Sequence, residues 1–361
     1  MILNQDNISI LRSVNQQIVD PKFSAAKEIA FWMGALQAQD YQMSKWAFGS
    51  RLQNSTETDI NKEIDSGGII RTHLMRPTWH FVSSEDIRWI LELTAPRIKS
   101  SMKTRDKQLE LTESIYLKCN TIIERSLKKE MHLTREELIS ELRKAKIDVD
   151  NNRAAHILLR AELDGLVCSG KQKGQKPTYT ILAEWAKENN KYYRDEALRE
   201  LARRYFISHG PASIQDFTWW SGLTSTDSKL ALELSKSSLI SETIKDQTYW
   251  FADSFNNASI KSDEILFLPA FDEFMISYTD RSASLPLLNK NAISANGIFY
   301  PIIVVKGKVT GLWKRNIKKD KANIEIRLFK PGRTSSEITY KKALTKYSNF
   351  IGKKIELIIE K

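Results

Sequence analysis

The chain has 361 residues, of which 41% are hydrophobic and 27% are charged, as in a soluble globular protein with several small domains. It has neither an apolar run of ~18 residues nor a signal-peptide pattern, so we expect no membrane span and a cytoplasmic location; two cysteines are too few for a disulfide framework or an iron–sulfur cluster. The 55 Lys and Arg outnumber the 44 Asp and Glu by 11, and this charge favours a polyanionic partner such as DNA.

The first part of the chain is predicted to be mainly helical, with two glutamines at the exit of one helix. Four apolar residues of that helix have the i, i+3, i+4, i+7 spacing of a buried face: Ile29, Trp32, Met33 and Leu36. Ser24 is its expected N-cap. Gln37 and Gln39 follow, and residues two apart share a side only in an extended segment. The two amides can therefore act together only if the backbone leaves helical geometry here.

A strand pair is predicted next. Gly67 and Gly68 stop the preceding helix, and residues 69–82, IIRTHLMRPTWHFV, are rich in β-branched and aromatic side chains. They predict two short strands with a turn at 75–77. Helices followed by a strand pair indicate a winged-helix domain over residues 1–100.

Residues 101–190 show the same order of elements. Helices are predicted over 111–129, from Thr134 onward, and over 151–163, the last as the recognition-type helix of a winged helix-turn-helix. A strand, a basic turn and a second strand complete this domain.

The hairpin of this second domain carries Lys171, Lys173 and Lys176 without an acidic residue among them, and Gly170 and Gly174 are expected to form its turn. A solvated hairpin kept soluble by lysines is one explanation. The absence of acids favours the other, which is contact with nucleic acid.

The rest of the chain is predicted to hold a third winged-helix domain over 191–260 and a domain with period-two patterning over 261–361. Lys314 and Arg315 belong to a basic cluster in that last domain, and a closing helix is expected over 335–350. The predicted fold class is therefore α+β, with three tandem winged-helix domains followed by a small C-terminal β-barrel-like domain.

Several segments resemble a known family. GALQAQD, residues 34–40, is similar to the start of the bacterial winged-helix DNA glycosylases of the AlkZ/YcaQ type. The resemblance continues over 69–82, over RYFISHGPASIQDFTWWSGL at 204–223, and over 267–282 and 297–315. In this family a Gln-x-Gln motif is catalytic, alkylated bases are released and interstrand crosslinks are unhooked. The resemblance therefore implies that Gln37 and Gln39 are catalytic.

Residues 69–82 resemble the first wing of that family, which carries an Arg, a Thr and a His; here these are Arg76, Thr78 and His80. Pro77 and Trp79 depart from the expected pattern. We expect Arg76 to contact a DNA phosphate. His80 is either a donor to a phosphate or sugar, or a structural histidine bonded to backbone at the strand end.

Glutamine has no titratable proton, so it cannot act as a general acid or base. A purine alkylated at N7 or N3 is already cationic and leaves as a neutral base, so only a positioned water and stabilisation of an oxocarbenium-like transition state are needed. The expected enzyme is a monofunctional glycosylase for cationic alkylpurines that also accepts crosslinked purines. It has no lyase activity because the motif supplies no amine.

No metal or cofactor motif is present, so we expect neither. The carboxylate pair Asp272 and Glu273 fits acid–base work or Mg²⁺ binding, but a structural role is favoured because no third ligand is nearby in the sequence. The expected partner is duplex DNA with alkylated or crosslinked purines, and we expect a monomer. The alternative is a non-catalytic winged-helix DNA-binding or regulatory protein.

Overall fold

The computed structural model describes residues 3–5, 7–186, 191–252, 264–286, 289, 291–329 and 336–360. The predicted domain boundary at 260/261, residue 190 at the boundary before it, and the predicted helix start at 335 lie outside the described residues. Among those described, no helix combines the length and the apolar character needed to cross a membrane.

The first segment contains helices and a three-stranded antiparallel sheet. Its helices are α1 (Ile8–Asn15), α2 (Ala26–Met33), α3 (Tyr41–Arg51), α4 (Glu57–Asp65) and α5 (Ile87–Gln108). Its strands are β1 (Leu36–Gln37), β2 (Ile69–Leu74) and β3 (Thr78–Ser83), in the order β1-β3-β2. The predicted strand pair and its turn are confirmed.

Helix α2 differs from the prediction at both ends. Its N-cap is Ala25 rather than Ser24, because the carboxylate of Glu28 accepts hydrogen bonds from the backbone N–H groups of both residues. It ends at Met33, because Gly34 has a φ of +75° that other residues rarely adopt. Leu36 is therefore a strand residue and not part of the helical face.

The second segment contains another three-stranded sheet. Its elements are α6 (Glu113–Lys129), β4 (Leu133–Thr134), α7 (Arg135–Lys144), α8 (Arg153–Leu163), β5 (Val167–Lys173), β6 (Lys176–Ile181) and α9 (Leu182–Trp185), with strand order β4-β6-β5. Thr134 caps α7 in a capping box with Glu137, as its sequence predicts. Gly174 lies in the hairpin turn, but Gly170 lies inside β5, where a Cβ would meet Thr180 at 2.9 Å.

Helix α8 packs inside the protein instead of presenting a recognition surface. Its residues are buried or half-buried. The carboxylate of Glu162 accepts a hydrogen bond from the His73 backbone N–H at 2.7 Å and another from the Thr72 hydroxyl at 3.2 Å, which joins α8 to β2. The prediction of a recognition-type helix at 151–163 is therefore wrong, because the helix is covered by the first segment.

The third segment has three helices and a two-stranded hairpin among its described residues. They are α10 (Arg194–His209), α11 (Ile214–Ser221), α12 (Ser225–Ser235), β7 (Ile240–Ile244) and β8 (Gln247–Phe251). Trp220 on α11 is fully buried, whereas the neighbouring Trp219 is 46% exposed.

The last segment forms a five-stranded sheet. Its elements are β9 (Ile265–Leu268), α13 (Glu273–Ile276), β10 (Ser294–Ala295), β11 (Ile298–Phe299), β12 (Ile302–Val305), β13 (Lys308–Ile317), β14 (Lys321–Leu328), α14 (Glu337–Ala343), α15 (Thr345–Ile351) and β15 (Lys354–Ile359). Strand order in the large sheet is β15-β14-β13-β12-β9.

This sheet is open, so the expected β-barrel-like closure is wrong. Strand β15 returns beside β14 in parallel, whereas the other pairings are antiparallel. The outer strands β15 and β9 lie at opposite ends of the strand order and do not pair with each other. The mixed α+β class is confirmed.

One hydrophobic core joins the first segment to the last. The ring of Trp46 on α3 lies 4.9 Å from the ring of Tyr347 and 5.1 Å from that of Phe350. Its indole N–H donates to the backbone oxygen of Phe267 at 2.7 Å. The first and last segments therefore share one core. The division into four domains, three of them winged helices, stays a prediction.

Candidate active site

The Gln-x-Gln segment leaves helical geometry, as joint action of its amides requires. Strand β1 begins two residues after Gly34, and Gln37 pairs with His80 of β3. Gln39 lies in the bend that follows this strand. Gln39 is exposed, and Gln37 is 9% exposed.

Hydrogen bonds on both sides hold the backbone of this segment. The Gln37 N–H donates to Glu273 Oε1 at 2.6 Å, and the Ala38 N–H donates to the Trp79 oxygen at 2.7 Å. The Ala38 oxygen accepts from Nε and Nη2 of Arg71 at 3.1 and 2.9 Å. The two glutamines therefore project from a peptide whose position is fixed.

Arg71 is itself buried between aromatic rings. Its guanidinium lies 3.9 Å from the Trp79 ring centroid and 5.2 Å from that of Tyr41. Burial lowers the pKa of Arg71 to about 10, so it stays cationic at neutral pH. The charge is fixed next to the Ala38 carbonyl.

The glutamine side chains have different environments. Gln37 Oε1 accepts from Arg76 Nη2 at 3.2 Å. Because a guanidinium only donates, this bond turns the oxygen of the amide toward Arg76 and leaves a second lone pair for another donor. Gln39 Oε1 accepts from the backbone N–H of Trp79 at 3.4 Å, a long contact at the protein surface.

Glu273 is almost fully buried behind Gln37. Its Oε2 accepts from the Trp220 indole N–H at 3.2 Å and from the Ser277 hydroxyl, and lies 3.8 Å from His209 Nε2. Burial alone would raise the pKa of Glu273, but His209 and the Ser277 hydroxyl lower it to about 2. The carboxylate is therefore ionised at neutral pH.

The neighbouring Asp272 has the structural role that was favoured for the pair. Both of its oxygens accept from Arg51 at 2.8 Å, and one also caps α13 through the Phe274 N–H. Glu273 instead belongs to the site. Sequence reasoning found both carboxylates but could not tell which one contacts the motif.

His80 does not reach the protein surface. It is fully buried, its Nδ1 is 2.9 Å from the Thr78 backbone oxygen, and its Nε2 has no partner among the described residues. Burial, with help from Arg76, lowers its pKa to about 4, so it is neutral at pH 7. The prediction that His80 contacts DNA is corrected: it is the histidine bonded to backbone.

A cleft of about 570 Å³ opens beside Arg76. Among its described lining residues, Arg76, Arg97 and Lys229 are basic and none is acidic. The exposed Trp219 forms part of its wall, with the Arg76 guanidinium 5.2 Å from the ring. Sequence reasoning missed Arg97, Lys229 and this role of Trp219.

The lysines of the hairpin have acidic partners from other elements. Lys173 Nζ lies 3.0 Å from Glu130 and 2.7 Å from Glu137, and Lys176 lies 4.0 Å from Glu136. Lys171 forms no salt bridge in the described part of the chain.

The hairpin also docks on the first segment, because the Gln172 N–H donates to Asp65 at 3.1 Å. The acids missing from the hairpin's own sequence are thus supplied by the fold.

Lys314 and Arg315 are successive residues of β13, so they point to opposite faces of the sheet. Arg315 donates to the Tyr347 hydroxyl at 3.0 Å, whereas Lys314 is exposed opposite Glu325. A single flat DNA surface cannot contact both side chains.

No metal cluster lies at the site in the part of the chain that is described, and the amine among the residues that line the cleft is that of Lys229. No three His, Cys, Asp or Glu are grouped for metal binding there. Lys45, the nearest lysine in sequence, is buried beside Glu57, 3.5 Å away, and lies over the Tyr41 ring.

Comparisons with known proteins agree on one family. The model of the family described as DNA glycosylase AlkZ-like matches residues 31–349. The interstrand DNA cross-link repair glycosylase of Streptomyces sahachiroi is 22% identical over 337 residues, covering 83% of this chain and 85% of the relative. The solved structure of Streptomyces sahachiroi DNA glycosylase AlkZ matches 100% of both chains with a TM-score of 0.81 and 19% identity.

The fold is thus that of a solved DNA glycosylase, with a non-helical Gln-x-Gln segment beside a basic cleft. The chain belongs to the AlkZ-like DNA glycosylase family. The resemblance seen in the sequence is confirmed.

Proposed function

We propose that the protein is a monofunctional DNA glycosylase that hydrolyses the N-glycosidic bond of purines alkylated at N7 or N3. The observation that carries the proposal is the non-helical segment from Gln37 to Gln39. Its two neutral amides project from a backbone anchored by Glu273 and Arg71.

The chemistry of these amides selects the substrate. An amide oxygen can orient a water and stabilise positive charge, but it cannot protonate a leaving base. A cationic alkylpurine needs no such proton: the electrons of its C1′–N9 bond neutralise the base as it departs. The water oxygen bonds to C1′, and its proton passes to the surrounding water.

The DNA surface proposed here is centred on the cleft. Arg76 links it to the motif, since it bonds Gln37 and lies over Trp219. Arg97 and Lys229 add positive charge on the same cleft.

The basic groups outside the cleft are proposed as outer phosphate contacts. Arg315 is favoured over Lys314, because its bond to Tyr347 places it on the face of the sheet packed against α15 and α3. A further phosphate contact is proposed at the hairpin, through Lys171, Lys173 and Lys176. To bind a phosphate, Lys173 must break its ion pairs with Glu130 and Glu137.

Two further features are part of the proposal. The product is an uncleaved abasic site, because the Gln-x-Gln motif supplies no amine for a Schiff base and the nearby Lys45 is bound to Glu57. Crosslinked purines are included in the substrate range because an open cleft accommodates a bulky lesion, and because the Streptomyces relative is described as a cross-link repair glycosylase. The monomeric state and the cytoplasmic location stay predictions.

The test is release of N7-methylguanine from a duplex under single-turnover conditions. We expect release by the wild type, a loss of ~100-fold or more in Gln37→Ala and Gln39→Ala, and unchanged binding to the duplex. Exposed Gln53→Ala is the matched control and should keep the wild-type rate. A duplex with a neutral lesion, 8-oxoguanine, should not be cleaved.

Two outcomes would overturn the proposal. A wild type that binds the lesion duplex without releasing the base is a non-catalytic DNA-binding protein. A protein–DNA adduct trapped by borohydride would show a lyase and reject the monofunctional mechanism.

A further inference from the structure

The carboxylate that binds the Gln37 peptide comes from an element far away in the sequence. Glu273 begins α13, and its Oε1 accepts the Gln37 N–H at 2.6 Å, a short distance for such a bond. Glu273 is only 2% exposed.

Glu273 differs from the other buried carboxylate beside it. Asp272 is neutralised by Arg51, with two contacts at 2.8 Å. No Lys or Arg nitrogen of the described residues lies within 4.0 Å of Glu273. Its nearest ionisable neighbour is His209, at 3.8 Å. The negative charge of Glu273 is therefore held behind Gln37 by hydrogen-bond donors and His209, not by a salt bridge with Lys or Arg in the described part of the chain.

Such a charge is costly to bury, so its neighbours must hold it in place. Trp220, Ser277 and the Gln37 peptide all donate to it. The arrangement fixes the position of the Gln37 peptide, from which the Gln37 side chain extends to Arg76.

We propose that Glu273 is the positioning residue for Gln37: its carboxylate, a charged acceptor, holds the Gln37 peptide so that the side-chain amide stays in place to stabilise the sugar cation formed as the base leaves. The proposal rests on the glycosylase function proposed above. In an oxocarbenium-like transition state positive charge develops at C1′, and a preorganised amide dipole lowers its energy without reorganising during the reaction.

Glu273→Gln separates charge from shape. The variant keeps an oxygen that can accept the Gln37 N–H but loses the negative charge. We expect single-turnover release of N7-methylguanine to fall by ~10-fold or more while duplex affinity is unchanged. Glu63→Gln is the matched control, because the Glu63 carboxylate also accepts two backbone N–H groups, at 2.8 Å each, but at the start of α2. It should keep the wild-type rate.

A double-mutant cycle identifies action through Gln37. If Glu273 works through that residue, Glu273→Gln should slow release much less in a Gln37→Ala background than in the wild type. Equal effects in both backgrounds would overturn the proposal. The backbone amide proton of Gln37 gives an independent readout: in NMR spectra of the free protein it should move upfield in Glu273→Gln, as a charged acceptor is replaced by a neutral one.

Ser277→Ala covers the case in which Glu273→Gln does not fold. It leaves the charge in place but removes one donor to Oε2, and we expect a smaller loss of rate together with a shifted Gln37 amide proton. A wild-type rate with an unmoved amide proton overturns the proposal. Failure of the glycosylase function itself is distinct, since the wild type then releases no base before any variant is compared.

Discussion

Gly222 lies against Met75 so closely that a Cβ on the glycine would meet the Met75 backbone oxygen at 2.9 Å. Gly222 ends α11, and the Met75–Arg76 peptide forms the turn between β2 and β3. The contact therefore sets how far the turn, and with it Arg76, lies from Gln37. A residue in the third segment thereby controls the geometry of the Gln-x-Gln site.

Gly222→Ala should displace this turn. We expect slower base release, because Arg76 moves relative to Gln37, and a stability loss of ~1–3 kcal/mol from the φ of +69° and the backbone clash. Gly174→Ala is the control, since Gly174 has a φ of +67° but no atom near an added Cβ. It should lose stability and keep its rate; equal loss of rate in both variants would contradict a specific role for Gly222.

The buried pair of Arg51 and Asp272 should dominate the stability of the junction between the first and last segments. Both side chains are almost completely buried, with the closest nitrogen–oxygen distance 2.8 Å. Asp272→Asn leaves the guanidinium without its charge partner and should reduce the free energy of unfolding by ~3–5 kcal/mol. Denaturant unfolding measures this. Glu124→Gln, in an exposed pair with Lys128, should change little; similar losses in both would contradict the prediction.

His80 should make the protein acid-sensitive. Burial lowers its pKa from 6.5 to about 4, so the folded state prefers the neutral ring. The stabilisation is complete above pH 6.5, falls as the unfolded chain binds a proton below that pH, and is lost by pH 4. It amounts to about 3 kcal/mol at most. His80→Gln should flatten the dependence of the melting temperature between pH 7 and 4, and an unchanged slope would show that other groups cause it.

The hairpin lysines should contribute unequally to DNA binding. Lys171 forms no salt bridge with a described residue, whereas Lys173 is held by Glu130 and Glu137. Lys171→Ala should therefore reduce the slope of log affinity against log salt by ~0.9, and Lys173→Ala by less, because its gain from phosphate is offset by two broken ion pairs. Titrations at several salt concentrations measure both slopes. If neither changes, the hairpin is outside the interface.

Local sequence patterns predicted most elements and the key property of the motif. The turn at 75–77 and the Thr134 cap depend on residues close in sequence, so they could be identified. The requirement that Gln37 and Gln39 leave helical geometry followed from their spacing alone. The helix end was misplaced because apolar periodicity continues to Leu36, whereas Gly34 had already stopped the helix.

The features that were missed depend on contacts between distant segments. Glu273 and Gln37 are 236 residues apart, and no local pattern says which carboxylate reaches the motif. The burial of His80 and of α8 depends on the segments that pack over them. The return of β15 beside β14 depends on a crossover that periodicity does not encode. The acids that neutralise Lys173 come from the end of α6 and from α7, not from the sequence of the hairpin itself.

The shared core has a consequence for protein synthesis. The glutamines precede Tyr347 and Phe350, the aromatic residues that pack on Trp46, and are therefore made before them. A nascent chain that ends before these two residues carries the motif without the core that joins the first segment to the last.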